Sequence, residues 1–340
     1  MGCQIGKTNQ IQIRSKYNNL VGIKFQEAIE NSNPKLKQLQ HQWNQFEIKD
    51  FGAALKFKQS DPVRFKKYLM NGAISSNRWL LWKVSLFVEN IFESGCYEAL
   101  LKSQHHQFDI EIEKDLPRTL PGHQEFHKKS QALQNVLKAI AIYNNDYVTG
   151  MNQVAGFLLL LSGMEEEDTF WMLNYLNINP QFKFLQLYQT NDSQNKGNQF
   201  EFVTKLLSIF HKHFKSQMPQ LHQHFETQDI NQYWYIWKWI FSLFLYTFPF
   251  EVVLYFFDFM IANNILAIIS LSLALLKHFQ SHLLKLNHAE IAQFITQFQE
   301  CSDVFDRSSH SDHLCVEQII SYATQFHDQL GFQRLEETLQ

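Results

Sequence analysis

Residues 239–276 constrain the fold more than any other stretch. Positions 239–257 read W-I-F-S-L-F-L-Y-T-F-P-F-E-V-V-L-Y-F-F, and 259–276 are almost as apolar. Runs of this kind must be taken out of water, by lipid or by protein. A membrane-spanning helix needs about 20 apolar residues. Here Pro249 and Glu251 fall inside the first run, and Asn263 and Asn264 interrupt the second. A charge at bilayer depth is costly even on the mildest scales. The run therefore reads as helices buried in a protein core. A membrane hairpin over 239–276 is the alternative.

Composition points the same way. The 340 residues are 45% hydrophobic and include 31 Phe, against only 12 Gly and 7 Pro. Secondary structure is seldom interrupted in such a chain, which favours long helices over many short strands. The length suits one large domain or two ordinary ones. The formal net charge of −3 is mixed in sign along the chain, leaving no basic footprint for nucleic acid. Cys3, Cys96, Cys301 and Cys315 have no paired spacing, and no secretory leader is visible, so a reducing, cytoplasmic compartment is expected.

Apolar positions recur at helical spacing through most of the chain. Leu36, Leu39, Trp43 and Phe46 predict a helix after Pro34. Asp61-Pro62 offers an N-cap followed by proline at the first helical position, and Asn71-Gly72 ends that helix. Ser75 or Ser76 is positioned to cap the next, which carries Trp79, Trp82, Leu86 and Phe87. A single long amphipathic helix is expected over 125–143. Residues 151–161 are apolar all round, as in an enclosed helix, and Ser162-Gly163 stops them. Glu165, Glu166, Glu167 and Asp168 then complement the dipole of the following helix. Residues 190–199 read as a polar loop, and further helices are expected over 200–214, 233–246, 249–260, 264–279, 289–298 and 313–326. The fold class is all-α.

Two short segments carry chemistry. Residues 112–119 read I-E-K-D-L-P-R-T. Pro117 fixes its own φ and biases Leu116 toward an extended conformation, which stiffens the loop that bears Arg118. Pro121-Gly122 closes it with a turn. Asp115 is placed to fix the loop by capping or by pairing with the arginine. Residues 147–152 read Y-V-T-G-M-N and open the enclosed helix; Gly150 lacks a Cβ and permits close backbone approach. Taken alone, Arg118 is an ordinary surface arginine between helices. Its context changes the reading. Residues 72–82 (G-A-I-S-S-N-R-W-L-L-W) hold a glycine, an arginine six residues on, and a tryptophan four beyond that. Ser162, Gly163, Phe170, Trp171, Pro219, Leu221, Phe244, Pro249, Phe257 and Asp258 follow in order.

This ordered set resembles the TBC domain, the helical module that stimulates GTP hydrolysis by Rab GTPases, over residues 72–284. The resemblance implies that Arg118 is an arginine finger supplied in trans, and that position 149 is the second finger. The family usually has glutamine there; this chain has Thr149. A threonine hydroxyl donates and accepts, but it reaches about two bonds less far than a glutamine amide. Two functions follow from the resemblance. One is a Rab GTPase-activating protein acting in membrane traffic. The other is a catalytically weak or inactive TBC protein that serves as a Rab-binding adaptor. Tyr147, Met151, Asn152 and Asp115 match supporting motif positions, with Asp115 and Asn152 as scaffold. No cofactor is implied, because GTP and magnesium belong to the partner GTPase.

Met1-Gly2-Cys3 resembles the start of dually acylated proteins, with Gly2 myristoylated and Cys3 palmitoylated, although Gly6 stands where Ser or Thr is usual. Two chains anchor stably where one does not. An unmodified tail is the alternative. Acylation would make the protein peripheral on endomembranes or the plasma membrane. Gly6-Lys7-Thr8 lacks the spacing and flanking elements of a phosphate loop. His211, His213, His222 and His224 are spaced two apart and do not share helix faces, and Cys301, His310, His313 and Cys315 match no zinc spacing, so no metal site is assigned. The expected organisation is a flexible, acylation-bearing segment over 1–33, a helical TBC-type domain over 34–284, and a helical extension over 285–340. A variant lacking Gly2 and Cys3 is expected in the soluble fraction. Its retention in membranes after an alkaline wash would select the hairpin reading.

Overall fold

The computed structural model describes residues 20–31, 48, 50–86, 88–103, 107–121, 123–188, 200–296 and 315–330. Gly2, Cys3, the expected helix after Pro34, the expected loop over 190–199, Phe87, Gly122, Cys301, His310 and His313 lie outside them. Every regular element among the described residues is helical, as expected of an all-α chain. They fall into two compact units, one within Arg14–Tyr188 and one within Gln189–Gln340.

The first unit opens with α1 (Gly22–Asn31), inside the segment expected to be flexible. That expectation is corrected for residues 22–31: Phe25 and Ile29 are fully buried, and Gln26 and Glu30 are buried and hydrogen-bonded. Helices α2 (Phe51–Ser60) and α3 (Pro62–Met70) have sequence-legible starts. Asp50 accepts from the Ala53 N–H at 2.8 Å, and Asp61 from the Arg64 N–H at 3.0 Å, with Pro62 at the first turn. Helix α4 (Arg78–Leu86) begins one or two residues later than the serine caps suggested, after a turn in which the Asn77 N–H bonds the Ile74 carbonyl. Lys58 caps its far end, donating to the carbonyls of Val84 (3.0 Å) and Ser85 (2.8 Å). Burial at that position holds the Lys58 pKa down at about 8.

Helices α5 (Cys96–Leu101) and α6 (Asp109–Asp115) follow. The single helix expected over 125–143 is two: α7 (Gln124–Lys128) and α8 (Ser130–Asn144). Lys129 separates them, with φ −110° and its N–H turned back onto the Phe126 carbonyl. Helix α9 (Met151–Ser162) is buried from Met151 to Leu161. It packs against α1, α8 and α10 (Glu166–Ile178), and α10 leads into α11 (Phe184–Tyr188). The acidic first turn of α10 does more than face a dipole. Glu166 accepts from the Tyr97 hydroxyl (2.7 Å) and Asn135 Nδ2 (3.0 Å), and Asp168 from Trp79 Nε1 and Lys83 Nζ (both 3.1 Å). One helix start thus ties α4, α5 and α8 together.

The second unit holds α12 (Glu201–Gln217), α13 (Pro219–Thr227), α14 (Gln232–Ser242), α15 (Phe250–Ala262), α16 (Ala267–His278), α17 (Gln280–Leu283), α18 (His288–Thr296) and α19 (Val316–Gln329). The apolar run over 239–276 is cut into α14, α15 and α16, of 11, 13 and 12 residues. Leu243 and Phe244 both take positive φ (47° and 67°) and end α14 earlier than expected. Asn263 ends α15. No helix among the described residues is long and apolar enough to cross a membrane. Trp239, Phe244, Phe248 and Phe256 instead pack ring against ring, with centroids 5.0–6.3 Å apart. Helix α19 lies along α16, with Ile319 and Ala323 fully buried and Ser270 Oγ 3.1 Å from His327 Nδ1. The C-terminal region therefore completes this core.

Arg78, the arginine of residues 72–82, is 1% exposed. Its guanidinium donates to Gln26 Oε1 (3.0 Å), Glu30 Oε1 (3.4 Å) and the Ala73 carbonyl. Removing one member of a buried ion pair strands the other charge. Arg78→Ala is expected to cost about 3–5 kcal/mol in urea unfolding. A cost below about 1 kcal/mol would mean that the pair is not buried in solution.

Candidate functional site

Helix α6 ends at Asp115 and tightens into a 3₁₀ turn, Leu116–Arg118, with Pro117 at its start. Leu116 has φ −52° and ψ −53°, so the extended bias expected of a residue before proline is overridden. The Leu116 N–H still closes a helical bond to the Ile112 carbonyl, and this keeps it in the turn. Thr119 leaves the helical region, and Leu120 takes φ +46° while fully buried. The loop is thus a continuation of a helix with one strained residue behind it.

The second segment meets the first through buried polar groups. Tyr147 donates its hydroxyl to Asp115 Oδ2 at 2.8 Å, and Asp115 is 2% exposed. Thr119 Oγ1 donates to the Asp115 carbonyl (2.8 Å) and accepts from Asn152 Nδ2 (2.7 Å). Asn152 Oδ1 accepts from the Gly150 N–H (3.0 Å). Gln153 Nε2 donates to the Arg118 carbonyl (3.0 Å). Seven residues from two segments are therefore stitched together at short range. Gly150 has φ +116°, a conformation that L side chains rarely adopt. That backbone angle is by itself a reason for glycine here. A close approach is present at Gly156, where an added Cβ would lie 2.6 Å from Thr119 Cγ2.

Two side chains are left outside this net. Arg118 and Thr149 are both exposed. Among the described residues neither the Arg118 guanidinium nor the Thr149 hydroxyl has a hydrogen-bond or ion-pair partner. Asp115 does not pair with Arg118; its carboxylate is taken by Tyr147. Met151 is fully buried and belongs to the core of α9. Gln153 and Gly156 escaped the sequence reading. The available signal for Gln153 was its place one helical turn after Thr149. Behind the loop, His123 is fully buried and caps α7, its Nδ1 accepting from the Phe126 N–H at 3.1 Å. Burial pushes its pKa below the usual histidine range. Elsewhere, the His211 and His222 rings lie 5.1 Å apart, and His224 Nε2 is 2.9 Å from the Leu286 carbonyl. Among the described residues no three His, Cys, Asp or Glu side chains converge.

Residues 75–284 match the family model described as the Rab-GTPase-TBC domain. The chain belongs to this family. Among similar proteins, growth hormone-regulated TBC protein 1-A of Danio rerio is 26% identical over 231 residues, covering 65% of this chain and 62% of that protein. GTPase activating protein Gyp51 of Schizosaccharomyces pombe is 29% identical over 197 residues, covering 57% of this chain and 18% of that protein. The chain thus spans from 18% to 62% of the lengths of these two relatives. The Chlamydomonas flagellar RabGAP TBC domain has a similar structure, with TM-score 0.62 at 19% identity over 79% of this chain and 88% of that one. The Ypt/Rab-GAP domain of Gyp1p gives TM-score 0.59 at 18% identity, over 78% and 92%. At those identities the likeness speaks to the fold alone. In this TBC protein α1 precedes the matched segment and α19 follows it.

Gly156 decides how tightly the TBC arginine loop sits on α9. Glycine to alanine inside a helix ordinarily gains about 0.5–1 kcal/mol. Here Thr119 is held by two hydrogen bonds and cannot withdraw, so overpacking at about 1–3 kcal/mol wins. Gly156→Ala is expected to lower stability in urea unfolding; a gain would show that the loop rests more loosely on the helix.

Proposed function

We propose that this protein is a GTPase-activating protein for a Rab-type GTPase and that Arg118 supplies its arginine finger. One observation carries the reading: an exposed guanidinium without a partner among the described residues, on a backbone anchored by Gln153, Thr119 and the α6 turn. Hydrolysis by a small GTPase is slow because charge building on the phosphate oxygens has no counter-charge and the attacking water is not held in line. An arginine offered in trans meets the first need and is worth about 10³–10⁵ in rate. An anchored backbone with a free side chain suits that task, because little ordering is left for the moment of reaction. Arg78 is the contrast: it is locked inside the first unit and has no way to reach a partner.

Thr149 limits the second need. It stands exposed at the position of the glutamine finger, yet its hydroxyl does not bridge a water and a phosphate as an amide does. The protein is therefore a slower activator whose partner keeps its own water-positioning glutamine. The same residue favours a second reading, a Rab-binding adaptor with little catalysis. GTP and magnesium are the partner's in both. Acylation of Gly2 and Cys3 would hold the protein in the cytoplasm at a membrane surface, where lipid-bound Rabs concentrate, and so place it in vesicle traffic.

Single-turnover GTP hydrolysis across a Rab panel tests this. Wild-type protein is expected to accelerate at least one Rab, and Arg118→Ala to remove about 10³ or more of that acceleration. Thr149→Gln is expected to be faster than wild type. Tight binding without acceleration selects the adaptor, and no binding to any Rab ends both readings.

A further inference from the structure

We propose that α1 is a brace for the Arg118 loop, with Phe25 and His123 as positioning residues. The proposal deepens the reading of Arg118 as a finger. It concerns a helix that lies ahead of the family-matched segment, which begins at residue 75.

The chain of contacts starts at Leu120. A leucine in the left-handed region costs about 1–2 kcal/mol and persists only where its surroundings over-determine it. Leu120 is two residues from Arg118, so whatever holds it also sets where the arginine leaves the surface. One restraint is the His123 N–H, which donates to the Leu120 carbonyl at 3.2 Å. His123 is itself fixed by its Nδ1 cap on α7 and by its ring against Phe126, with centroids 6.4 Å apart. Because Nδ1 accepts, the imidazole is neutral with its proton on Nε2. Glu125 and His127, on α7, are the titratable groups that act on it.

Phe25 supplies the lid of this arrangement. It is fully buried, and its ring meets His123 edge-on, at 6.3 Å and 65°. Helix α1 is in turn held firmly enough to transmit position. Gln26 Nε2 donates to the Leu161 carbonyl (3.2 Å), near the end of α9, and Gln26 Oε1 accepts from Arg78 (3.0 Å). Glu30 pairs with Arg78. Gly22 has φ +62° and abuts Gly163 so closely that a Cβ would stand 3.0 Å from the Gly163 Cα. The start of α9 carries the Asn152 and Gln153 contacts to the loop, and the far end of α9 is docked to α1. The arginine loop is therefore held twice, by α9 directly and by α1 through His123.

Amide hydrogen exchange of the full chain tests the brace without reference to any GTPase. Phe25→Ala removes the lid; Ile29→Ala removes an equally buried side chain of the same helix that has no ring contact with His123. In Phe25→Ala the amides of residues 116–123 are expected to exchange about tenfold faster or more, as a local opening. In Ile29→Ala they are expected to keep wild-type protection. Phe25→Leu, which keeps most of the volume, is expected to fall between and serves alone if Phe25→Ala does not fold. Equal protection in the Phe25 variants and wild type overturns the brace, as does equal loosening by Ile29→Ala. With any Rab that wild type accelerates, Phe25→Ala is expected to lower kcat while leaving KM in place. If wild type accelerates no Rab, the finger reading falls while the exchange result still decides the brace.

Discussion

The hydroxyl of Thr119 is the junction on which the site depends. It has one proton to give and gives it to the Asp115 carbonyl; it has room to accept and takes the Asn152 amide. Asn152 spends its other end on the Gly150 N–H. These groups are all buried, where a hydrogen bond is stronger than in water and an unmade one costs about 1–3 kcal/mol. The net therefore holds as a unit or fails as a unit. Its effect is a division of labour within single residues. Arg118 is fixed at its carbonyl by Gln153, and its side chain is left to solvent.

The surrounding core explains why so polar a junction is tolerated. Helix α9 is buried from Met151 to Leu161, and Gly156 lets the loop settle onto it at van der Waals range. A side chain at that position would lift Thr119 away from Asn152. The acidic start of α10 works on the same principle, since Glu166 and Asp168 each satisfy two donors from other helices. Polar groups fix register in this first unit, and apolar burial supplies the driving force.

Much of this was legible in the residues. Asp61-Pro62 announced a helix start, residues 151–161 announced an enclosed helix, and the ordered motif set pointed to the family. Local rules carried those readings because each depends on neighbours in sequence. What escaped depends on distant partners. Helix α1 is short and half polar; its Gln26 and Glu30 look like surface residues until Arg78, some fifty positions away, is brought beside them. Leu116 obeys its helical hydrogen bond rather than the proline after it. Gly156 was passed over, because the space around a glycine is set by tertiary packing. Gln153 has no motif to mark it, only a carbonyl across the loop.

The packing of α19 along α16 has a practical corollary. The family-matched segment stops at residue 284, yet Ile319, Ala323 and Phe326 are buried as part of the core of the second unit. At the other end, Phe25 and Ile29 fill the core of the first. A fragment trimmed to the homology boundaries would lose both helices and bare two greasy scars, each inviting self-association. For this chain, the limits of sequence likeness are narrower than the limits of the folding unit.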